Sequence, residues 1–262
     1  MGTTVVYCYD ISLDPDAYNY IKAVETADGQ ALEPTTRKAY DKFIRSCKQD
    51  GMLDLIKACC ILAGARTLNG ALVPLKGTAP TNFNFVGSDY NRKTGLKGDG
   101  SNKYLRTATT LNDINIDDFT LFCNITEAQT VSTAGWVSAA QSNETTLYLG
   151  SYNAGSADGV SVGLATGRAG LTRTTAVGFH GGRGNSTNYR EYYWDGLIRS
   201  TNTTSQALIT SSANFCIFRA GENVLGQFSN PRMSICGLGK FLDLSLLNNC
   251  VTQLMTDINN AF

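Results

Sequence analysis

The sequence is poor in what usually announces a chemistry. It holds a single histidine, His180, and no Cys-x-x-Cys pair, so its eight cysteines cannot assemble a familiar zinc site. No G-x-S-x-G elbow is present for a nucleophilic serine. Formal net charge is zero and no run of Lys or Arg stands out, which excludes the basic stripe of a nucleic-acid binder. No apolar stretch approaches membrane-spanning length, so no membrane insertion is expected. The opening "MGTTVVYCYD" lacks the basic and apolar regions of a secretory signal, and Val6 stands where myristoylation needs Ser or Thr. Cytoplasmic folding is therefore expected. Cys8, Cys47, Cys59, Cys60, Cys123, Cys216, Cys236 and Cys250 are spread through apolar patterns and read as reduced, buried thiols. No cofactor or metal is expected.

Proline is scarce (5) and glycine abundant (26), with charged residues at only 17%. That balance suits short strands joined by tight turns. From residue 119 onward the apolar pattern has period two. In "FTLFCNI", Phe119, Leu121, Cys123 and Ile125 share one face. "GWVSAAQ", "TTLYLGSY", "GVSVGLAT", "TAVGFHG", "REYYWDG", "LIRST", "NFCIFRAG" and "RMSICGLG" follow with Gly, Asn or Ser between them. Many short strands at such spacing predict an antiparallel β-sandwich or barrel.

Helical grammar dominates the ends. "DPDAYNYIKAVETADG" offers Asp14 as N-cap, Pro15 at the first helical position and Gly29 as terminator. "EPTTRKAYDKFIRSCKQDG" repeats it, with Tyr40, Phe43, Ile44 and Cys47 on one face. "MLDLIKACCILAGA", apolar nearly all round, predicts a third and most buried helix. At the other end Asp243 caps a helix over 243–261, with Leu242 and Leu247 placed to form a hydrophobic staple. The expected organisation is a helical segment at 1–65, a connector at 66–92 containing a short strand near "GALVPL", and a sandwich at 93–262.

Two stretches invite a site. "KTGLKGDGSNKYLRT" spaces Gly95 and Gly100 as a P-loop would, but Ser101 and Asn102 stand where Lys and Ser/Thr are required. Asp99 alone supplies local charge, too little for a calcium loop, so the stretch predicts a turn into a strand that points Tyr104 or Leu105 to the core. "NYREYYWDG" is the better candidate. Its flat rings and polar tips suit a sugar-binding groove, with Tyr192, Trp194 and Arg190 as the ligand-binding set. Alternation sends Tyr192 and Trp194 one way and Tyr193 the other, so one set belongs to the core. Glu191 and Asp195 sit too far apart along a strand for a paired-carboxylate glycosidase. No catalytic residue is predicted.

"GLKGDGSNKYLRT" followed by "DFTLFCNIT", with "FCIFRAGE" and "RMSICGLGKFLDLSLLNN" near the end, resembles concanavalin A-like (laminin-G-like) jelly-roll domains. The run from "ADGQALEPTTRKAY" to "GTAPTNFNF" together with the sandwich resembles a module of tailed-bacteriophage virion proteins, tail-associated and fibre-like ones especially, over about residues 14–262. The E-x-D-x-E strand of glucanases and the acidic metal site of legume lectins are not recognisable. The resemblance implies a mainly β, concanavalin A-like jelly roll preceded by a small α-helical segment and closed by a C-terminal helix. It implies a virion structural protein assembled in the host cytoplasm, either a tail fibre or tail component or a capsid decoration protein. A homotrimer docked to other virion proteins through its N-terminal helices would follow, with host-surface polysaccharide as a partner. A glycan-cleaving enzyme is the remaining alternative.

Overall fold

The structure, a computed structural model, describes residues 13–131, 134–141, 146–152, 157–162, 167–172, 177–206, 211–221 and 227–262. Cys8 lies outside them. Two helices come first, α1 (Pro15–Asp28) and α2 (Pro34–Gln49). Asp14 accepts from the Asp16 amide at 2.9 Å and Gly29 closes α1 in the left-handed conformation, both as the caps in the sequence require.

The segment expected to form a third helix is instead β1 (Ile56–Ile61). It pairs with the late strand β16 (Arg232–Gly239) on one side and with β2 (Pro74–Lys76) on the other. A strand buried on both faces is as uniformly apolar as a buried helix, so periodicity cannot separate them. Near "GALVPL", the short helix α3 (Leu68–Ala71) precedes β2. The described part of the expected helical segment, residues 13–65, is thus not a helical unit apart: it gives the first sheet an internal strand.

The remaining strands in chain order are β3 (Thr81–Phe83), β4 (Tyr90–Asn91), β5 (Gly95–Lys97), β6 (Tyr104–Thr110), β7 (Phe119–Glu127), β8 (Ala134–Ala140), β9 (Thr146–Tyr152) and β10 (Ala157–Val162). They continue with β11 (Gly167–Thr172), β12 (Gly178–Ser186), β13 (Tyr189–Trp194), β14 (Leu197–Asn202) and β15 (Asn214–Ile217), then β16 and the helix α4 (Leu244–Asn259). The first sheet runs β14-β13-β12-β7-β16-β1-β2, with β5 added beside β16 and β4 beside β5. The second runs β11-β10-β9-β8-β15-β6-β3. All pairings are antiparallel. Between β13 and β14, Asp195 (φ 49°) and Gly196 (φ 88°) make the two-residue left-handed turn that matches strand twist.

Three layers result. Between the sheets lies a core that includes Leu121, Cys123, Trp136, Leu149, Val160, Phe215 and Cys236. A second core fills the space between the outer face of the first sheet and the helices, joining Phe122, Phe179, Tyr193 and Ile235 to Tyr40, Phe43, Ile44, Leu247 and Val251. Glycine permits the close approach: a Cβ on Gly181 would collide with the Leu244 side chain of α4. The first sheet is therefore covered on both sides.

Candidate functional site

That double cover decides the fate of the aromatic stretch. Tyr189–Trp194 forms β13, and its alternation is as the sequence predicts, but both faces are occupied. Tyr192 (1% exposed) faces the sandwich interior, where its hydroxyl lies 2.7 Å from Nδ1 of the buried His180. Tyr193 (4% exposed) faces the helices. Arg190 is fully buried, donates to the carbonyls of Thr187 and Thr204, and has its pKa pulled down by burial. Trp194 is half-buried at the sheet's end, its indole N–H on the Val177 carbonyl at 3.0 Å and the Arg199 guanidinium 5.3 Å from its ring centroid. So Tyr192, Trp194 and Arg190 do not line an open groove. Glu191 is held by Arg183 and by the Tyr189 hydroxyl.

Strand registers place Trp194, His180, Cys123, Cys236 and Cys60 in one row across five strands of the first sheet, all toward the interior. The His180 ring meets Trp136 of the second sheet edge-on at 4.6 Å and stacks with Trp194 at 5.9 Å. Burial pushes the Cys123 thiol well up and that of Cys60 to about 12, so both stay protonated and unreactive. The seven described cysteines are all buried, and none of them is in a disulfide. Among the described residues no group of three or more His, Cys, Asp or Glu could hold a metal ion.

The glycine-rich stretch forms an aspartate-centred turn. Asp99 accepts from the amides of Ser101, Asn102 and Lys103 at 2.9, 3.0 and 3.0 Å, and from the Ser101 hydroxyl at 2.7 Å. Burial raises its pKa, but these donors prevail and hold it at about 2. Leu105 then points into the core while Tyr104 stays half-buried on the other face.

Tyr104 belongs to the cluster that sequence reasoning missed. On the outer face of the second sheet, the register sets Phe83 beside Tyr104 and Thr81 beside Arg106. Beyond β15, Arg219 is bridged to Phe228, and the Ser138 hydroxyl fixes Arg219 to the sheet by donating to its carbonyl at 2.8 Å. The rings of Phe83 and Tyr104 stack at 4.3 Å and 3°. Arg106 lies 5.3 Å from the Phe83 centroid, and Arg219 lies 4.8 Å from that of Tyr104 and 5.0 Å from that of Phe228. All five are half-buried. They come from three distant segments, and the one local sign was that Tyr104 and Arg106, two apart on a strand, share a face.

Two hollows lie among the helices. One of about 310 Å³ between α2 and α4 is crossed by the 3.1 Å Lys42–Asp257 ion pair, and one of about 260 Å³ lies between α1 and β2.

No protein-family model matches the chain, and no curated protein matches it. Several solved structures are similar. Domain 4 of AbnA, a GH43 extracellular arabinanase from Geobacillus stearothermophilus, is 10% identical with a TM-score of 0.42, covering 67% of this chain and 82% of that one. A mutant Trypanosoma rangeli sialidase with trans-sialidase activity is 14% identical (TM-score 0.48), covering 82% of this chain and 38% of the sialidase. The botulinum neurotoxin serotype D binding domain is 10% identical (TM-score 0.48), covering 77% of this chain and 52% of that one. By its own topology the chain is a helix-flanked pair of antiparallel sheets, a β-sandwich of jelly-roll-like architecture.

Proposed function

We propose that the chain is a structural component of a tailed-bacteriophage particle that displays its sandwich to bind a host-surface glycan. The observation that carries this reading is sidedness. The helices α1, α2 and α4 all lie against the first sheet, while the outer face of the second carries the aromatic and arginine cluster and, among the described residues, no helix. A protein anchored through its helical side presents that face outward. Phage membership rests on the sequence resemblance, and a tail position or a capsid-decorating one suits the same sidedness.

Two measurements test this function. Mass spectrometry of purified, fractionated particles is expected to find the chain in tails, or in heads if it decorates the capsid; its absence from particles ends the virion reading. On a host polysaccharide array the purified chain is expected to bind, with Phe83→Ala weakening capture about tenfold while circular dichroism shows the variant still folded. An array with no bound glycan ends the binding reading.

A further inference from the structure

A pair of nucleophilic side chains lies in the helical layer, away from the outer-face cluster. Cys47 stands in the last turn of α2 and Cys250 within α4, and both belong to the core that joins these helices to the first sheet. Far apart in sequence, their thiols are in hydrogen-bond contact. The Cys250 Sγ also meets the carboxylate of Asp50, just past the end of α2, at 3.9 Å from Oδ2. The two thiols differ. Hydrogen bonding with Cys47 favours the Cys250 thiolate and outweighs both burial and the Asp50 carboxylate, so the pKa of Cys250 lies below the ordinary thiol value. The same contact pushes Cys47 up. Cys250 is also slightly exposed, at 7%, where Cys47 is at 0%. Cys250 is thus the entering nucleophile and Cys47 the resolving one. Cys60, Cys123 and Cys236 are cross-strand neighbours too, but they lie between the sheets and burial pushes all three thiols up.

We propose that Cys47 and Cys250 are a redox pair that closes into a disulfide and clamps α2 to α4. The clamp does not depend on the glycan reading. Its oxidant is a small-molecule disulfide such as glutathione disulfide. The Cys250 thiolate attacks one sulfur of that molecule; its S–S bond breaks, a mixed disulfide forms on Cys250, and one glutathione thiol leaves. The Cys47 thiolate then attacks the Cys250 sulfur, forming the Cys47–Cys250 bond and releasing the second glutathione. Two protein thiols are oxidised, one disulfide is reduced, and the two protein protons leave on the two glutathione thiols. Sulfurs already in contact need little movement to reach the S–S bond length of about 2.05 Å. The bond closes a loop that takes in every strand of the sandwich, which removes much of the freedom of the unfolded chain.

The test takes the folded full chain through glutathione buffers from reducing to oxidising, with no denaturant. Digestion without reductant, followed by mass spectrometry, is expected to find a cross-linked peptide joining Cys47 to Cys250 with two hydrogens lost. The oxidised chain is expected to melt about 5–10 °C above the reduced one, and dithiothreitol to reverse the shift. Cys47→Ala is expected to stop at a glutathione adduct on Cys250, and Cys250→Ala to take up none at Cys47. The peptide map of the unaltered chain needs no variant, so a misfolded variant does not blunt the test. Recovery of both thiols unlinked after full oxidation overturns the pair. So does a link between other cysteines, such as Cys60 and Cys236, in its place. A Cys47–Cys250 link that leaves the melting temperature unchanged overturns the clamp.

Discussion

At the scale of single residues, Asp99 shows how a turn can imitate a site. Glycines on either side and neighbouring oxygens look like a phosphate or cation loop, yet the carboxylate is spent on three backbone amides and a hydroxyl of its own chain. Its pKa falls from the ordinary 3.8 to about 2, so its stabilising effect is fully present above pH 3.8 and fades as pH drops through about 2. Because the group is exposed and screened, Asp99→Ala should cost only about 0.5–1 kcal/mol at pH 7. Urea denaturation of both proteins at pH 7 and pH 2 checks this: the gap should shrink at the lower pH, and a gap that persists there would show that the charge is irrelevant. The turn was legible from Ser101 and Asn102 standing in the wrong places for phosphate. The Phe83–Tyr104–Arg219 stack was not legible, because nothing in sequence joins residues 83, 104 and 219 before the β3–β6 pairing and the Arg219–Phe228 bridge do.

At the scale of elements, legibility followed from how many faces an element buries. The helices α1, α2 and α4 each have one apolar stripe and a polar remainder, so their existence could be read, together with the Asp14 and Asp243 caps of α1 and α4. Asp243 accepts from the amides of Ser245 and Leu246, and Leu242 and Leu247 are buried as a staple requires. β1 fails the same treatment because both of its faces are buried, Cys59 and Ile61 toward the helices and Ala58 and Cys60 toward the sandwich. The aromatic stretch fails for a related reason. Alternation correctly divided Tyr192 from Tyr193, but could not show that helices would cover the second set. An apolar stripe such as that of α4 does not by itself name what it packs on, which here is the chain's own first sheet and α2. Leu254→Ala, at a position 1% exposed, should therefore lower stability by about 2–5 kcal/mol even at dilutions where any oligomer has dissociated. Exposed Gln253→Ala should change it by no more than about 0.5 kcal/mol. Concentration-independent chemical denaturation reads both; a Leu254→Ala effect that disappears on dilution would place the stripe at a subunit interface instead.

At the scale of the whole molecule, sequence order and spatial order part company. The chain enters through helices, supplies β1 to the interior of the first sheet, and only then builds the sandwich whose last strand, β16, lies against β1. Ile61 pairs with Ile235 and Cys60 with Cys236, so residues near opposite ends of the sequence share one register. The α4 helix then seals the same face as α1 and α2, making the helical layer a common lid over the first sheet. An attachment segment that could be removed without harm is incompatible with this wiring. A chain beginning at residue 66 would lose β1, expose an edge of β16 and remove α1 and α2 from the lid, leaving α4 alone over the apolar outer face of the first sheet. Exposed strand edges beside apolar surface promote association between chains. That shortened chain is expected to be insoluble or to melt without cooperativity, whereas one beginning at residue 13 should unfold in a single sharp transition. Calorimetry and sedimentation of the two decide it: a soluble, cooperatively melting 66–262 would mean that the sandwich stands without β1 and that the helical segment is, after all, a separable attachment device.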